Sequence, residues 1–161
     1  MKKLLFAVLV IAMCSSCGTT LWLTGKYNAE SYSIETSKPA ETVWNDIVDW
    51  FFFTQTPIEL INKESGIIIS GKISLRNNYT YEINEQPGET SKYVVIPNGA
   101  MNYRDMRVYG RVQARIKAEN GKTRISVFLG DLECIVGTST YIEAKSLGTF
   151  EKKWLKYISN K

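Results

Sequence analysis

Residues 105–135 read DMRVYGRVQARIKAENGKTRISVFLGDLECI, two alternating runs on either side of Asn120-Gly121. Asn-Gly between alternating runs is the strongest short-range hairpin signal, because both residues accept the positive φ of a type I′ turn. A two-residue loop there pairs Lys117 with Arg124 and Arg115 with Ser126. One face of the hairpin then carries Val108, Val112, Ala114 and Ile116 against Ile125, Val127 and Leu129, a core surface. The other carries Arg107, Tyr109, Arg111, Gln113, Arg115 and Lys117 opposite Arg124, Phe128 and Leu132. The same count places Cys134 beside Arg107.

Upstream, Tyr32–Thr36 has the pattern of a short strand. Ser37-Lys38-Pro39-Ala40-Glu41 is a helix start, with Ser37 as N-cap, an early proline and an acid in the first turn. Val43, Trp44, Ile47, Val48 and Phe51 follow at helical spacing. Trp50, Phe52 and Phe53 widen the apolar surface, so deep cover of this helix is expected. Pro57 ends it. Ile58–Lys63 and Ile67–Leu75 are expected to pair across Glu64-Ser65-Gly66, with Ile67, Ile69, Ile73 and Leu75 on the buried face. Tyr79–Ile83 is expected to continue a meander, through a longer turn or with its tyrosines in solvent. Glu85–Met101 holds two turn signals around a brief strand at Tyr93–Ile96, the stretch where mobility or function is expected. Leu147–Ser159 is a closing helix whose Leu147, Phe150, Trp154 and Ile158 share a face.

The expected fold class is α+β: an antiparallel β-sheet with two helices packed on one face. One-sided burial accounts for the alternation of the strands.

The N-terminus has a separate chemistry. Lys2 and Lys3 precede an unbroken apolar run, Leu4–Met13. A bilayer-spanning helix needs roughly 20 such residues, so this run has instead the length of a signal-peptide core. Cys14-Ser15-Ser16-Cys17 follows and resembles a lipobox, the cleavage motif of bacterial lipoproteins. Cys17 follows two small residues, whereas Cys14 follows the bulky Met13, so Cys17 is the expected lipid acceptor. An ordinary secretory signal is the alternative. Residues 1–16 are thus a signal peptide, 17–29 an anchor and tether, and 30–161 a single domain. Gly18 stands where an inner-membrane retention signal would place Asp, which by resemblance favours the outer membrane, on its periplasmic side or the cell surface. In the tether, Leu21, Trp22, Leu23 and Tyr27 either rest on the membrane interface or pack on the domain as a first strand, the second being preferred.

Composition narrows the chemistry. The formal charge is +4, of which Lys2 and Lys3 supply two, leaving about +2 on the mature chain. With Cys14 removed and Cys17 acylated, Cys134 has no partner for a disulfide. The sequence contains no histidine, the commonest general base and metal ligand. No catalytic residue, metal or cofactor is expected. Gly66–Lys72 imitates a phosphate loop, but Ile73 stands where Mg²⁺ binding needs Ser or Thr. The acid pairs Asp46/Asp49 and Asp131/Glu133 read as solvated surface.

The candidate binding face is therefore the outer face of the hairpin: Arg107, Tyr109, Arg111, Arg115, Lys117, Arg124 and Phe128. Arginine forks suit phosphate or carboxylate, so an envelope protein, an acidic glycan or a lipid head group is the expected class of partner. A solvated face is the plainer alternative. Nucleic acid is not expected, given the small charge and the compartment.

Two resemblances bear on this. The lipoprotein signal, the helix with its Val43-Trp44 and Asp49-Trp50-Phe51 strings, the Lys63-Glu64-Ser65-Gly66 hairpin and the closing helix resemble a cell-envelope family of unknown function with a TATA-binding-protein-like fold. The similarity covers about residues 30–159 and implies a β-α-β-meander-α order and no known site residues. Ser33-Ile34-Glu35 through Pro39–Trp44 resembles the opening of helix-grip, START-like domains. That resemblance implies a carrier of a lipid or small apolar ligand in a cavity beneath the last helix. The first reading, a membrane-anchored, non-enzymatic binding or scaffolding module, is preferred.

Overall fold

The computed structural model describes residues 19–27, 31–137 and 140–161. The expected signal peptide, with Cys14, and the expected anchor at Cys17 and Gly18 lie outside the described residues. The strands are β1 (Thr20–Leu21), β2 (Tyr32–Thr36), β3 (Ile58–Asn62), β4 (Ile67–Ser70), β5 (Ile73–Ser74), β6 (Tyr79–Ile83), β7 (Gln86–Pro87), β8 (Val94–Ile96), β9 (Arg107–Glu119), β10 (Lys122–Val136), β11 (Thr140–Ile142) and β12 (Lys145–Ser146). The helices are α1 (Ala40–Phe53) and α2 (Thr149–Asn160), with a 3₁₀ turn at Asn98–Asn102.

The β9–β10 hairpin is the spine of the molecule. Asn120 and Gly121 both have positive φ, 51° and 75°, and the register runs Lys117 to Arg124 and Arg115 to Ser126 as the turn chemistry requires. Each long strand is flanked by two short ones. On the β10 side, β2 pairs with the half nearest the turn and β11 with the far half. On the β9 side, β4 pairs near the turn and β5 farther away. β3 and β1 form the two outer edges. The large sheet thus has a turn half and a far half. All its pairings are antiparallel except β1 with β11.

Both helices pack on the core-facing side of this sheet. Val43, Trp44, Ile47 and Phe51 of α1 and Phe150, Trp154, Leu155 and Ile158 of α2 join Val108, Val112, Ala114, Ile125, Val127 and Leu129 in one cluster. The expected α+β class, a mainly antiparallel sheet with two helices, is what the chain adopts. Glu151 of α2 is fully buried. Its Oε1 accepts from the Leu129 N–H at 3.0 Å and the Ser146 hydroxyl at 2.8 Å, tying α2 to β10.

Several expectations need correction. α1 begins after Pro39 with no side-chain cap; Ser37 is not its N-cap, and the Lys38 N–H goes to Thr36 Oγ1. Phe52 and Phe53 are 78% and 70% exposed, so the helix is covered along one stripe only. The Ile67–Leu75 run is broken at Gly71-Lys72, and the break resets its parity. Ile68 pairs with the core-facing Ala114, so Ile68 and Ser70 are the buried residues of β4, while Ile67 and Ile69 are half-buried. Ser70 closes the gap that the break leaves: its hydroxyl accepts from Val112 N at 2.8 Å and donates to the Gly71 carbonyl at 2.7 Å.

The meander also stops there. The chain leaves the large sheet at Leu75, and β6 runs parallel to β8 in a second sheet ordered β12-β8-β6-β7. Thr80 and Glu82 face inward, with Tyr79 and Tyr81 half-buried against the core. The irregular stretch 85–101 supplies β8, whose three residues are all fully buried. β8 is core, while residues 85–92 ahead of it are mostly exposed.

A bulge divides β10. The register shifts by one residue between Gly130 and Glu133, with Asp131 at φ 47°. Beyond it Cys134 pairs with Val108 and Ile135 with Arg107. Counting straight through from the turn therefore puts Leu132 and Cys134 on the wrong face. Leu132 packs against the core beside Gly110, Leu75 and Leu129. Cys134 is buried, and burial pushes its thiol up to about 11. A bulge adds a residue to one strand only, and the strand-interior Gly130 just before it is the one residue in the sequence that hints at it.

The N-terminal stretch joins the fold as a first strand. β1 runs parallel to β11, and the Tyr141 N–H bonds the Thr19 carbonyl at 3.0 Å. Leu23 N donates to Glu143 Oε2 at 3.0 Å. Thr24, through N–H and hydroxyl, and Gly25 N donate to the Glu82 carboxylate at 2.7 to 2.9 Å. Burial pushes Glu82 up, but these bonds and the neighbouring Tyr27 hydroxyl outweigh it and hold the carboxyl below its ordinary value. Tyr27 is raised to about 12 by burial and by Glu82. Over residues 19–27 the expected tether is therefore part of the folded unit.

Candidate functional site

The outer face of the hairpin does hold the basic residues together, but it is not one surface. In the turn half the hairpin cations other than Arg115 are matched by acids, from β2 or from the hairpin itself. Arg124 meets Glu35 of β2 at 2.9 Å and Glu119 at 3.4 Å. Lys122 also meets Glu35, and Lys117 meets Glu119. The Arg124 guanidinium, with Lys122, holds Glu35 below the usual carboxylate range. Arg111, beside the bulge, meets Glu59 of β3 at 2.9 Å and Asp131 at 3.5 Å. Phe128 is spent locally: a Cβ at Gly130 would fall on its ring, so the glycine makes room for the aromatic to lie flat on the strand. Arg115 has no ion pair among the described residues and lines, with Lys117, Trp44 and the Lys63–Gly66 turn, a shallow cleft of about 550 Å³.

The far half is different. Arg107 and Tyr109 line a cleft of about 710 Å³ with Arg76 from the β5–β6 connection, Tyr79 at the start of β6 and Arg104 from the segment before β9. That size lies in the ordinary range for ligand pockets. Arg76, Arg104 and Arg107 are all exposed and have no ion pair among the described residues. Asp105 is the one acid lining the cleft, against three guanidinium groups. Lys72, on the connection between β4 and β5, is matched instead, held by Glu133 at 2.6 Å. Forks from two backbone stretches, Arg76 on one and Arg104 and Arg107 on the other, around one concavity are suited to a phosphate or carboxylate, each able to give two parallel N–H bonds. Two tyrosine rings supply apolar walls and hydroxyls.

The seven face residues singled out in the sequence thus separate. Arg107 and Tyr109 belong to the cleft; Arg111, Lys117 and Arg124 are in ion pairs; Arg115 borders another concavity; Phe128 covers a glycine. Arg76 and Arg104 are absent from a strand-pattern reading because both sit in connections, where no periodicity points them anywhere. Of the acids, Asp49 and Asp131 are exposed and Glu133 is half-buried; they pair with Lys161, Arg111 and Lys72, whereas Asp46 is largely buried between Lys38 and Lys161.

Beside the cleft lies an aromatic row. Thr20, Tyr141, Ile135 and Arg107 are cross-strand neighbours on β1, β11, β10 and β9. Trp22 packs on Tyr141 with ring centroids 5.5 Å apart. Trp22 is 62% exposed, Tyr141 57% and Ile135 37%. Ile135 reaches this face only because of the bulge. At the opposite edge, β3 exposes Ile58, Leu60 and Ile61.

Among the described residues no cluster of His, Cys, Asp and Glu could hold a metal ion, and no helix is long and apolar enough to cross a membrane. Comparison with protein-family models finds no match for this chain, and comparison with curated proteins finds none either.

Proposed function

We propose that this chain is a cell-envelope lipoprotein, anchored through Cys17, whose domain binds an anionic ligand in the Arg76–Arg104–Arg107 cleft without catalysing a reaction. One observation carries the binding part. Three arginines converge on a concavity with no carboxylate paired to any of them, while the remaining outer-face arginines of the hairpin, Arg115 apart, are matched. Clustered like charges repel, and their retention around a cleft is accounted for by a counter-charge that arrives from outside. The anchor part rests on the Lys2–Cys17 sequence, and Gly18 favours the outer membrane. A non-catalytic role fits a chain without histidine whose one described cysteine is buried with its thiol raised. The TATA-binding-protein-like arrangement and the envelope family that shares it belong to the same proposal, supported by the order strand, α1, sheet, α2.

The carrier reading, with a ligand beneath the last helix, is less favoured. Phe150, Trp154, Leu155 and Ile158 fill the contact between α2 and the sheet, all of them buried. Two measurements test the proposal. Cys17→Ser releases the domain into the soluble fraction; retention on membranes contradicts the anchor. Calorimetric titration of that soluble form with inorganic pyrophosphate gives saturable binding, abolished in the Arg76→Glu/Arg107→Glu variant. Equal binding by the variant contradicts the cleft.

A further inference from the structure

We propose that the far end of the large sheet is a bilayer-contact face, with Trp22, Tyr141 and Ile135 in the interfacial zone and the arginine cleft on the phosphates of anionic phospholipid. The inference rests on the Cys17 anchor for its native geometry and gives the cleft its ligand class.

Chain length leads to this. Thr19 is already fixed, its carbonyl bonded by Tyr141 N, and Cys17 is two residues before it. Two residues reach at most about 7 Å. A lipid on Cys17 would hold the β1 end of the sheet against the bilayer surface, with no slack for the domain to stand off. The Thr24 and Gly25 bonds to the buried Glu82 keep the following segment from peeling away to lengthen the tether.

The side chains at that end suit such a surface. Trp and Tyr favour the membrane–water interface, where an apolar ring and a polar edge are both accommodated, and Trp22 and Tyr141 are among the most exposed large side chains of the described residues. Ile135 extends the row from Tyr141 to Arg107. Adjacent strands lie about 4.8 Å apart, so Arg107, three strands from β1, is within about 15 Å of the anchored strand. Arg104 and Arg76 line the same cleft. Basic side chains beside an anchor strengthen attachment to anionic lipid, each about fivefold in affinity. The turn half, where the hairpin cations other than Arg115 are already paired, would face away.

The test uses the chain from residue 17 with Cys17→Ser, so that acyl chains play no part, and vesicles of phosphatidylglycerol or of phosphatidylcholine. Trp44 and Trp154 are buried and Trp50 half-buried, so a blue shift of tryptophan emission on vesicle addition reports Trp22. The expected result is sedimentation with phosphatidylglycerol but not phosphatidylcholine, a blue shift lost in Trp22→Phe, and about fivefold weaker binding for each of Arg76→Gln, Arg104→Gln and Arg107→Gln. Circular dichroism confirms that the variants fold. Sedimentation without the Trp22 shift, or unchanged binding by the arginine variants, overturns the proposal. Absence of binding to either vesicle also overturns it. If pyrophosphate still binds in that case, the anion cleft stands and the bilayer is not its partner; if neither binds, the cleft reading falls as well.

Discussion

In the turn half of the large sheet, Arg124, Lys122 and Lys117 lie opposite Glu35 and Glu119, and Arg111 at the border is held by Glu59 and Asp131. In the far half, built from the same two strands with the same basic residue types outward, Arg107 joins Arg76 and Arg104 around an open cleft. The difference comes from the flanking strands. β2 and β3 bring glutamates to the turn half, whereas β1, β5 and β11 supply Thr20, Ser74 and Tyr141 at the comparable places. A row of arginines on a strand therefore states its chemistry only once its neighbours are known.

The boundary between the halves is the bulge at Asp131, and the face it assigns to Cys134 is the first target, with the largest expected effect. Counted without a bulge, Cys134 is an outward position that would accept a charge; with the bulge it lies opposite the core-facing Val108. Cys134→Asp therefore buries an unpaired carboxylate, and a loss of about 4 kcal/mol or more is expected, the range of severe core disruption, measured by urea unfolding. Thiol labelling of the parent gives a second readout: burial and a thiol near 11 keep Cys134 unreactive at neutral pH until the chain unfolds. Fast labelling of the native parent, or parent-like stability of Cys134→Asp, would mean that the bulge does not set the face.

The attachment of the far half to the N-terminal segment is the next target. Glu82→Ala leaves the Thr24 and Gly25 donors without their acceptor, at a cost of about 2 to 3 kcal/mol for hydrogen bonds to a charged group. Amide exchange at Thr24 and Gly25 should quicken with it. The pH dependence has a definite sign. Because the folded-state pKa of Glu82 is depressed, its contribution is fully present above the ordinary carboxylate value of 4.5 and is lost as pH falls through the depressed one. Glu82→Gln should flatten that part of the stability profile; an unchanged profile would remove Glu82 from the account.

Much of the fold is legible in the amino-acid order. Asn120-Gly121 specifies the turn and the register up to Gly130, and Val43, Ile47 and Phe51 at helical spacing identify the buried stripe of α1. Legibility fails where a strand-interior glycine, Gly130 or Gly71, marks a change of backbone geometry without saying how the faces shift. Asp131 carries a left-handed φ that Asp only sometimes adopts, and Gly71 gives no sign that Ile68 rather than Ile67 or Ile69 will be buried. The site was half legible for the same reason. Arg107 and Tyr109 follow from strand alternation, whereas Arg76 and Arg104 depend on how two connections fold back beside the hairpin. The counter-charges Glu35 and Glu59 come from distant parts of the chain, and their pairing with Arg124 and Arg111 is a property of sheet order.

The smallest expected effects separate the halves most cleanly. Arg111→Gln should cost about 1 kcal/mol in stability, because a half-buried guanidinium loses partners, Glu59 and Asp131, that are themselves exposed, and leave pyrophosphate affinity unchanged. Arg107→Gln should leave stability unchanged and weaken pyrophosphate binding about tenfold, the usual weight of a charge-assisted bond. The most direct measurement is a pyrophosphate titration of the Cys17→Ser domain followed by NMR at the arginine side-chain Nε–H and backbone amide signals. Saturable shifts at Arg76, Arg104 and Arg107, with Arg111 and Arg124 unmoved, are the predicted result; shifts centred on Arg111 and Arg124, or spread equally over both halves, would contradict it.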